Sequence, residues 1–423
     1  LHPLPATGDF AQLWEHHAAI AATPPLFTHE RGGYDLRGLV GEVANSAASS
    51  HRYDHDALGR RTARADSGAA YPNAAFDLYG YNARSEVTSG KRYYGGDTAD
   101  TTRPYGGRDF GYQYDAIGNR LTATVTAGDT TLTHSYSANE LNQYAAINNP
   151  AAVGLRGEAL SNATVTVNQT LAASDTPPSD VWPWHFALDA DNATGPDFPH
   201  AEIIATLNPP TTNDTALLST QSGHLYAPPQ EEGLLYDDDG NLIQDTRYRY
   251  IWDAENRLIA VEERISPTNR PLQRVEYDYD HQSRRTARRH YTRDNASWQL
   301  ITTSDLVYDG WNEIAETTTT DESTLTNYYV WGADLSGSLQ GAGGIGGLIA
   351  ATIATNQTGS VNLAYGYDAN GNVTVLLAGG NEIPYTLAAA YEYDPFGRLI
   401  AQRTTPGHET LAKANPFRFS TKY

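Results

Sequence analysis

Cysteine is absent from all 423 residues, which excludes disulfides, zinc–thiolate centres and thiol nucleophiles together. Methionine is absent too and the first residue is Leu1, so the sequence reads as a piece of a longer product. Positive charge is scarce: 29 Lys and Arg stand against 50 Asp and Glu, a formal net charge of −21. Nucleic acids and anionic membranes are held by clustered cations, so neither is an expected partner. No basic, apolar leader opens Leu1–Phe10. Long apolar runs are also missing. The stretch from Leu335 to Tyr367 is uncharged, but its strictly small or apolar core is only Gly341–Ala350. A run that short packs inside proteins, and no membrane span is expected.

Chemical motifs are equally sparse. His16-His17 point to different faces of any regular element, and no zincin-type pair occurs among the 13 histidines. The G-x-S-x-G elbow is missing; Ser338 in Gly337-Ser338-Leu339-Gln340-Gly341 is one residue out of register. Gly341-Ala342-Gly343-Gly344-Ile345-Gly346 matches the letters of a dinucleotide loop, yet no βαβ pattern surrounds it and no acid follows before Asp368. Asp237-Asp238-Asp239-Gly240-Asn241 has Leu242 where a calcium loop needs Gly and Tyr248 where it needs Glu. The basic run Arg284-Arg285-Thr286-Ala287-Arg288-Arg289 would be split between two faces of a strand. No catalytic residue, cofactor or metal ligand is assigned, and the chain is expected not to be an enzyme.

What is present is tyrosine and glycine, 28 and 37 residues, in a composition too apolar for a solvated tail. They recur in one unit, Tyr-Asp-x-x-Gly-Asn/Arg-aliphatic. It reads Tyr114-Asp115-Ala116-Ile117-Gly118-Asn119-Arg120-Leu121 and Tyr236-Asp237-Asp238-Asp239-Gly240-Asn241-Leu242. Trp252-Asp253-Ala254-Glu255-Asn256-Arg257-Leu258 is the same unit with Trp for Tyr and Asn for Gly. Tyr367-Asp368-Ala369-Asn370-Gly371-Asn372-Val373 and Tyr393-Asp394-Pro395-Phe396-Gly397-Arg398-Leu399 complete the clear set, and Tyr308-Asp309-Gly310 is a shorter version. Looser copies start at Tyr34, Tyr53, Tyr81, Tyr136 and Tyr279.

Aromatic residues two apart, as in Tyr112 and Tyr114 or Tyr391 and Tyr393, share one face of a strand. The Asp accepts backbone N–H groups of a turn, and Gly takes the left-handed position that closes it. Asn256 replaces Gly because Asn tolerates that conformation. Each unit is therefore a β-hairpin. Lone hairpins are marginal, so the copies are expected to pair edge to edge into one long sheet. Gly106 and Gly195 lie outside any clear unit and are expected to tolerate side chains better.

Three parts are expected: degenerate repeats over 1–147, an inserted Ig-like β-sandwich over 148–230, and sharper repeats over 231–423. The middle part lacks the unit, carries the alternating Ala163-Thr164-Val165-Thr166-Val167-Asn168, and is bounded by turn-rich segments such as Asp175-Thr176-Pro177-Pro178-Ser179 and Ala227-Pro228-Pro229-Gln230. Four of its asparagines (Asn162, Asn168, Asn192 and Asn213) stand in N-x-S/T sites, which mark loop or surface.

The repeats resemble the YD repeats of RHS (rearrangement hotspot) proteins. The second half resembles the RHS repeat-associated core through Leu306–Glu316, Tyr329–Gly344, Tyr391–Leu399 and the ending Asn415-Pro416-Phe417-Arg418-Phe419-Ser420-Thr421-Lys422-Tyr423. This resemblance implies an all-β fold, a hairpin ribbon spiralling into a hollow shell or barrel. It implies a non-catalytic shell that encloses and delivers a polymorphic C-terminal toxin or effector lying downstream on the same polypeptide. Secretion machinery or surface glycans would be further partners, and a bacterial protein secreted or at the cell surface is implied. The self-cleaving Asp-Pro-x-Gly-Leu boundary of such shells is not recognisable, since Asp394-Pro395-Phe396-Gly397 is followed by Arg398. The alternative is an adhesion or carbohydrate-binding module that uses its tyrosines to stack on sugars.

Overall fold

The alternating sequence folds into strands almost throughout. The computed structural model describes residues 27–127, 130–177, 179–207, 216–267, 270–294, 297–355, 359–380 and 383–422. The readings placed on Leu1–Phe10, His16-His17, Pro178 and Asn213 fall outside these residues. The chain is all-β, apart from one short helix, Glu409–Ala414, and a single 3₁₀ turn, Phe419–Thr421, among the described residues.

Two large antiparallel sheets follow chain order strand by strand. The first has eleven strands, from His29–Gly32 through Tyr144–Asn148, with Glu231–Gly233 as its last member. The second has fourteen, from Leu235–Tyr236 to Leu399–Thr404. Strictly sequential pairing makes each sheet a hairpin ribbon. The ribbon also continues between the sheets. Glu232 pairs with Ile147, and the Leu234 N–H donates to the Ala145 carbonyl at 3.0 Å. Residues 231–233 thus complete the first sheet. Among the described residues neither sheet closes into a barrel; each ends in open edge strands.

The segment between Asn148 and Glu231 forms a separate two-layer sandwich. One layer is Ala152–Leu160, Val181–Asp189 and Ala173–Ser174; the other is Thr170–Leu171, Ala163–Val167, His200–Leu207 and Leu217–His224. Alternation in Ala163–Val167 turns Val165 and Val167 inward against Trp184, Leu188 and Ala201. Its neck is closed by the Asn149 N–H donating to the Gln230 carbonyl at 2.8 Å.

The main core lies in the last hairpins of the ribbon. Leu348, Leu363, Tyr367, Val373, Leu376 and Tyr391 are fully buried there, covered by Leu411 of the helix and by Phe417. A second cluster bridges the two sheets: Phe27, Ala48, Ala70 and Tyr71 meet Ala364, Val375, Leu377 and Ala390. Strand Val373–Gly380 is consequently covered on both faces, and its sequence is apolar on both, broken by Thr374, rather than an alternation. Burying each Val or Leu contributes about 1.5–3 kcal/mol.

Candidate functional site

The repeat units build a ladder of turns along one ribbon edge. Asp115 Oδ1 accepts the N–H groups of Ile117 (3.0 Å) and Asn119 (2.9 Å), while Oδ2 accepts the Asn119 side-chain amide at 2.9 Å. Asp237 and Asp368 do the same with Asn241 and Asn372. Asp253 and Asp394 hold Arg257 and Arg398 instead. The Asn/Arg position is therefore set by the second oxygen of the Asp, a partner the sequence reading left unassigned. Gly118, Gly240, Gly371 and Gly397 all have positive φ, and Asn256 substitutes at φ 57°.

Looser copies use the same turn. Asn82 and Ser85 replace Asp and Gly after Tyr81. After Tyr53 and Tyr136 the turn residue is Asp56 and Asn139, two places later than a Tyr-Asp reading puts it. Tyr308-Asp309-Gly310 differs. Asp309 pairs with Asn312 across a two-residue loop, and its exposed side chain takes none of these bonds among the described residues. The N–H two places on, that of Trp311, donates instead to Gln340 Oε1 at 3.0 Å. The unit that sequence reading missed is Asp334, whose N–H donates to Ser338 at 2.7 Å, with Gly337 at φ 77°. Asp334 Oδ2 also accepts the N–H groups of Ala342 (2.6 Å) and Gly344 (3.0 Å). The glycine-rich loop spends these N–H groups on a carboxylate of its own chain.

The aromatic ring of the unit has a second task. Tyr81, Tyr114, Tyr236, Tyr279 and Tyr393 donate their hydroxyls to the carbonyls of Arg61, Val87, Tyr144, Leu258 and Val373, at 2.7–3.0 Å. Trp252 donates its indole N–H to Leu242 in the same way, at 2.9 Å. Each acceptor is the first residue of the return strand in the preceding unit. The hydroxyl thus closes the gap between neighbouring strands where they diverge into separate turns. The basic run is absorbed likewise: Arg284 pairs with Asp280, Arg288 with Glu316 and Arg289 with Asp278, and Arg285 lies 4.1 Å over the Tyr277 ring. No group of three or more His, Asp or Glu residues suited to a metal occurs among the described residues.

A different arrangement joins the two ends of the ribbon. His51 Nδ1 lies 2.8 Å from Asp66 Oδ1 and His51 Nε2 lies 3.1 Å from Thr374 Oγ1, all buried. Asp66 Oδ2 accepts from Arg64 (3.2 Å) and Arg92 (2.9 Å), and both arginines also reach Asp77. Arg92 and Arg108 approach Glu392 Oε2 at 3.8 and 3.3 Å. Arg403 pairs with Glu392 Oε1 and chelates Glu158 of the inserted sandwich through Nε at 2.7 and 2.9 Å. Arg64, Arg92, Arg108 and Arg403 thus face Asp66, Asp77, Glu158 and Glu392, and Arg64 also lies 3.8 Å from Asp368. Burial drives the Asp66 carboxyl upward, but Arg64, Arg92 and His51 outweigh it and hold it well below its ordinary value of 3.8. Burial likewise opposes ionisation of Glu392, and Arg403, Arg92 and Arg108 reverse that effect. Neutral hydrogen bonds extend the same seam: Asn45 donates to the Tyr367 carbonyl at 2.9 Å, and the Ala369 N–H donates to the Tyr53 hydroxyl at 2.9 Å.

No family model and no curated protein matches the chain. Among solved structures it is similar to a chain of TcdB2-TccC3, with 14% identity and a TM-score of 0.35, covering 98% of this chain and 20% of that one. It is similar also to a chain of the Photorhabdus luminescens Tc holotoxin pore carrying a TccC3 mutation, with 13% identity, a TM-score of 0.35, and 98% and 19% covered. The chain thus spans about a fifth of the length of the solved chains it matches.

The seam is what sequence reasoning missed altogether. The partners that cross between the ribbon ends are hundreds of residues apart, for instance Arg108 and Glu392, and each charge sits in an unremarkable strand. A weak signal existed: Arg64-Ala65-Asp66 places two opposite charges on one strand face.

Proposed function

We propose that this chain is a wall section of an RHS-type shell. It has no chemistry of its own and encloses an effector domain carried C-terminal to the repeats on the same polypeptide. One observation carries the reading: an unbroken hairpin ribbon whose first and last hairpins meet face to face through a buried ionic and apolar seam. A wall that folds back on itself in this way supports enclosure better than an extended adhesive stalk. Tyr81, Tyr114, Tyr236, Tyr279, Tyr367 and Tyr393 also support it, because their hydroxyls are committed to backbone carbonyls rather than presented to a sugar. The shell reading carries with it export in a toxin context. No helix among the described residues is long and apolar enough to cross a membrane.

Limited proteolysis tests the proposal. A reporter domain or the natural downstream sequence is expressed fused after Tyr423, with and without the repeats. Protection of the cargo only in the fused form is the expected result. Equal digestion in both forms rejects enclosure, and saturable glycan binding by the same protein would favour the adhesion reading.

A further inference from the structure

A cavity of about 780 Å³ lies where the inserted sandwich meets the ribbon. Its walls include Tyr105 and Arg108 of strand Pro104–Tyr114, Arg156 and Glu158 of strand Ala152–Leu160, Trp184 of strand Val181–Asp189, Arg403 of the edge strand Leu399–Thr404 and Glu409 of the helix. The volume is in the range of small-molecule sites.

The sandwich is held firmly over this opening. Asp175 accepts the Tyr94 hydroxyl at 3.0 Å and the Gly106 N–H at 2.6 Å. Glu158 accepts from Tyr105 as well as from Arg403. The walls are therefore fixed relative to one another by polar contacts from both sides.

Arg156 is the group that these contacts leave out. Strand alternation puts it on the same face as Glu158, and Leu155 and Ala159 point the other way into the sandwich core. Glu158 is committed to Arg403. Arg156 has no ion pair among the described residues, and its buried Nη1 has no hydrogen-bond partner. Burial first, then the nearby Arg108 and Arg398, pull its pKa from 12.5 to about 10, against the opposing pull of Asp394. Arg108 has an orphan as well: its Nη1 contacts Glu392 as an ion pair but makes no hydrogen bond. A guanidinium in such a place incurs desolvation without compensation, and planar oxyanions match its donor fork.

We propose that the cavity is a binding site for a small ligand bearing an oxyanion, a carboxylate or a phosphate, with Arg156 as its principal donor and Arg108 beside it. The ligand would sit between sandwich and ribbon and tie the two together.

The test uses the full chain in low-salt buffer. Thermal melts and calorimetric titrations are run with inorganic phosphate, with glucuronate, and with glucose and sodium chloride as controls. Saturable stabilisation by phosphate or glucuronate, absent with glucose and chloride, is the expected result, and the stronger of the two identifies the source of the oxyanion. Arg156→Gln should weaken that binding at least about tenfold, and Arg156→Lys should weaken it less, because a point charge lacks the fork. A second measurement separates binding from scaffolding. Without any oxyanion, Arg156→Met should melt no lower than the parent protein, since an unpaired buried charge has been removed. Equal responses of parent and Arg156→Gln to every probe would overturn the proposal. So would a large loss of stability in Arg156→Met without ligand, which would make Arg156 a structural residue.

Discussion

Replacing Glu392 by Gln tests the seam directly. Gln keeps the shape of the side chain and removes only its charge. Glu392 is 3% exposed, and three guanidiniums converge on it, from Arg92, Arg108 and Arg403. Arg403 retains Glu158 after the change, and Arg92 retains Asp66 and Asp77. Arg108 retains only the Tyr105 ring, 5.5 Å away, and becomes a buried cation with no carboxylate partner among the described residues. Removing one partner of a buried pair costs about 3–5 kcal/mol, because the other charge stays desolvated. We expect a loss in that range at pH 7, read from urea unfolding followed by tyrosine fluorescence and circular dichroism. Glu255→Gln, at an exposed pair with Arg257, should change stability by less than about 0.5 kcal/mol.

The pH dependence sharpens the test. The folded pKa of Glu392 is depressed below its ordinary 4.5. Its contribution is therefore complete above that value and is lost as pH falls through the lower, folded value. The gap between parent and variant should be widest at neutral pH and shrink progressively below about pH 4. A gap under about 1 kcal/mol at pH 7, or one that is unchanged at pH 3, would refute the claim that this carboxylate holds the ribbon ends together.

Tyr279→Phe should cost about 1 kcal/mol by orphaning the Leu258 carbonyl, whereas Tyr328→Phe, at a half-exposed ring, should be near neutral in the same denaturant series. Gly118→Val should cost about 1–3 kcal/mol, because φ is 98° there, and Gly195→Val much less, since nothing lies within 4 Å of its added Cβ; equal melting losses would contradict the turn assignment. Glu313 behaves oppositely to Glu392: burial, with help from Glu316, pushes its carboxyl up to about 8. The folded state keeps a proton that the unfolded chain releases, so stability should fall as pH rises from about 4.5 to 8, and Glu313→Gln should flatten that slope and stabilise the protein at pH 8. An unchanged pH profile in the variant would count against it.

The all-β ribbon was legible because its information is local. An Asp, a glycine three places on and flanking aromatics fix a turn within five residues, and neighbouring turns then pair in chain order. Even the departures are local: Ser85 and Asn139 stand in for Gly and Asp through the same backbone geometry. Gly106 shows where this reading stops. It lies outside any unit, yet an added Cβ would fall 2.8 Å from Asp175 and His185, so its tolerance was misjudged. That constraint is imposed by the sandwich, about 70 residues away in the chain. The seam and the Arg156 cavity are hidden for the same reason, since each charge gains its meaning only from a partner on another strand.

Local turns can build a ribbon of any length, and nothing within a unit says which hairpins should meet. The apolar part of the seam cannot decide this alone. Alanines such as Ala48, Ala70, Ala364 and Ala390 make a smooth surface, and small, alike residues specify register weakly. The charges are stricter. A slip of one residue in the strand of Glu392 would turn its carboxylate to the opposite face and strand Arg108 in the interior. Buried ion pairs add little net stability over apolar packing, but an alternative pairing that leaves one of them unmatched is penalised by several kcal/mol. Four arginines against five carboxylates, Asp368 included, therefore act as a key for the meeting of first and last hairpins. Glu158 extends that key to the inserted sandwich, so one network fixes the positions of all three parts of the chain.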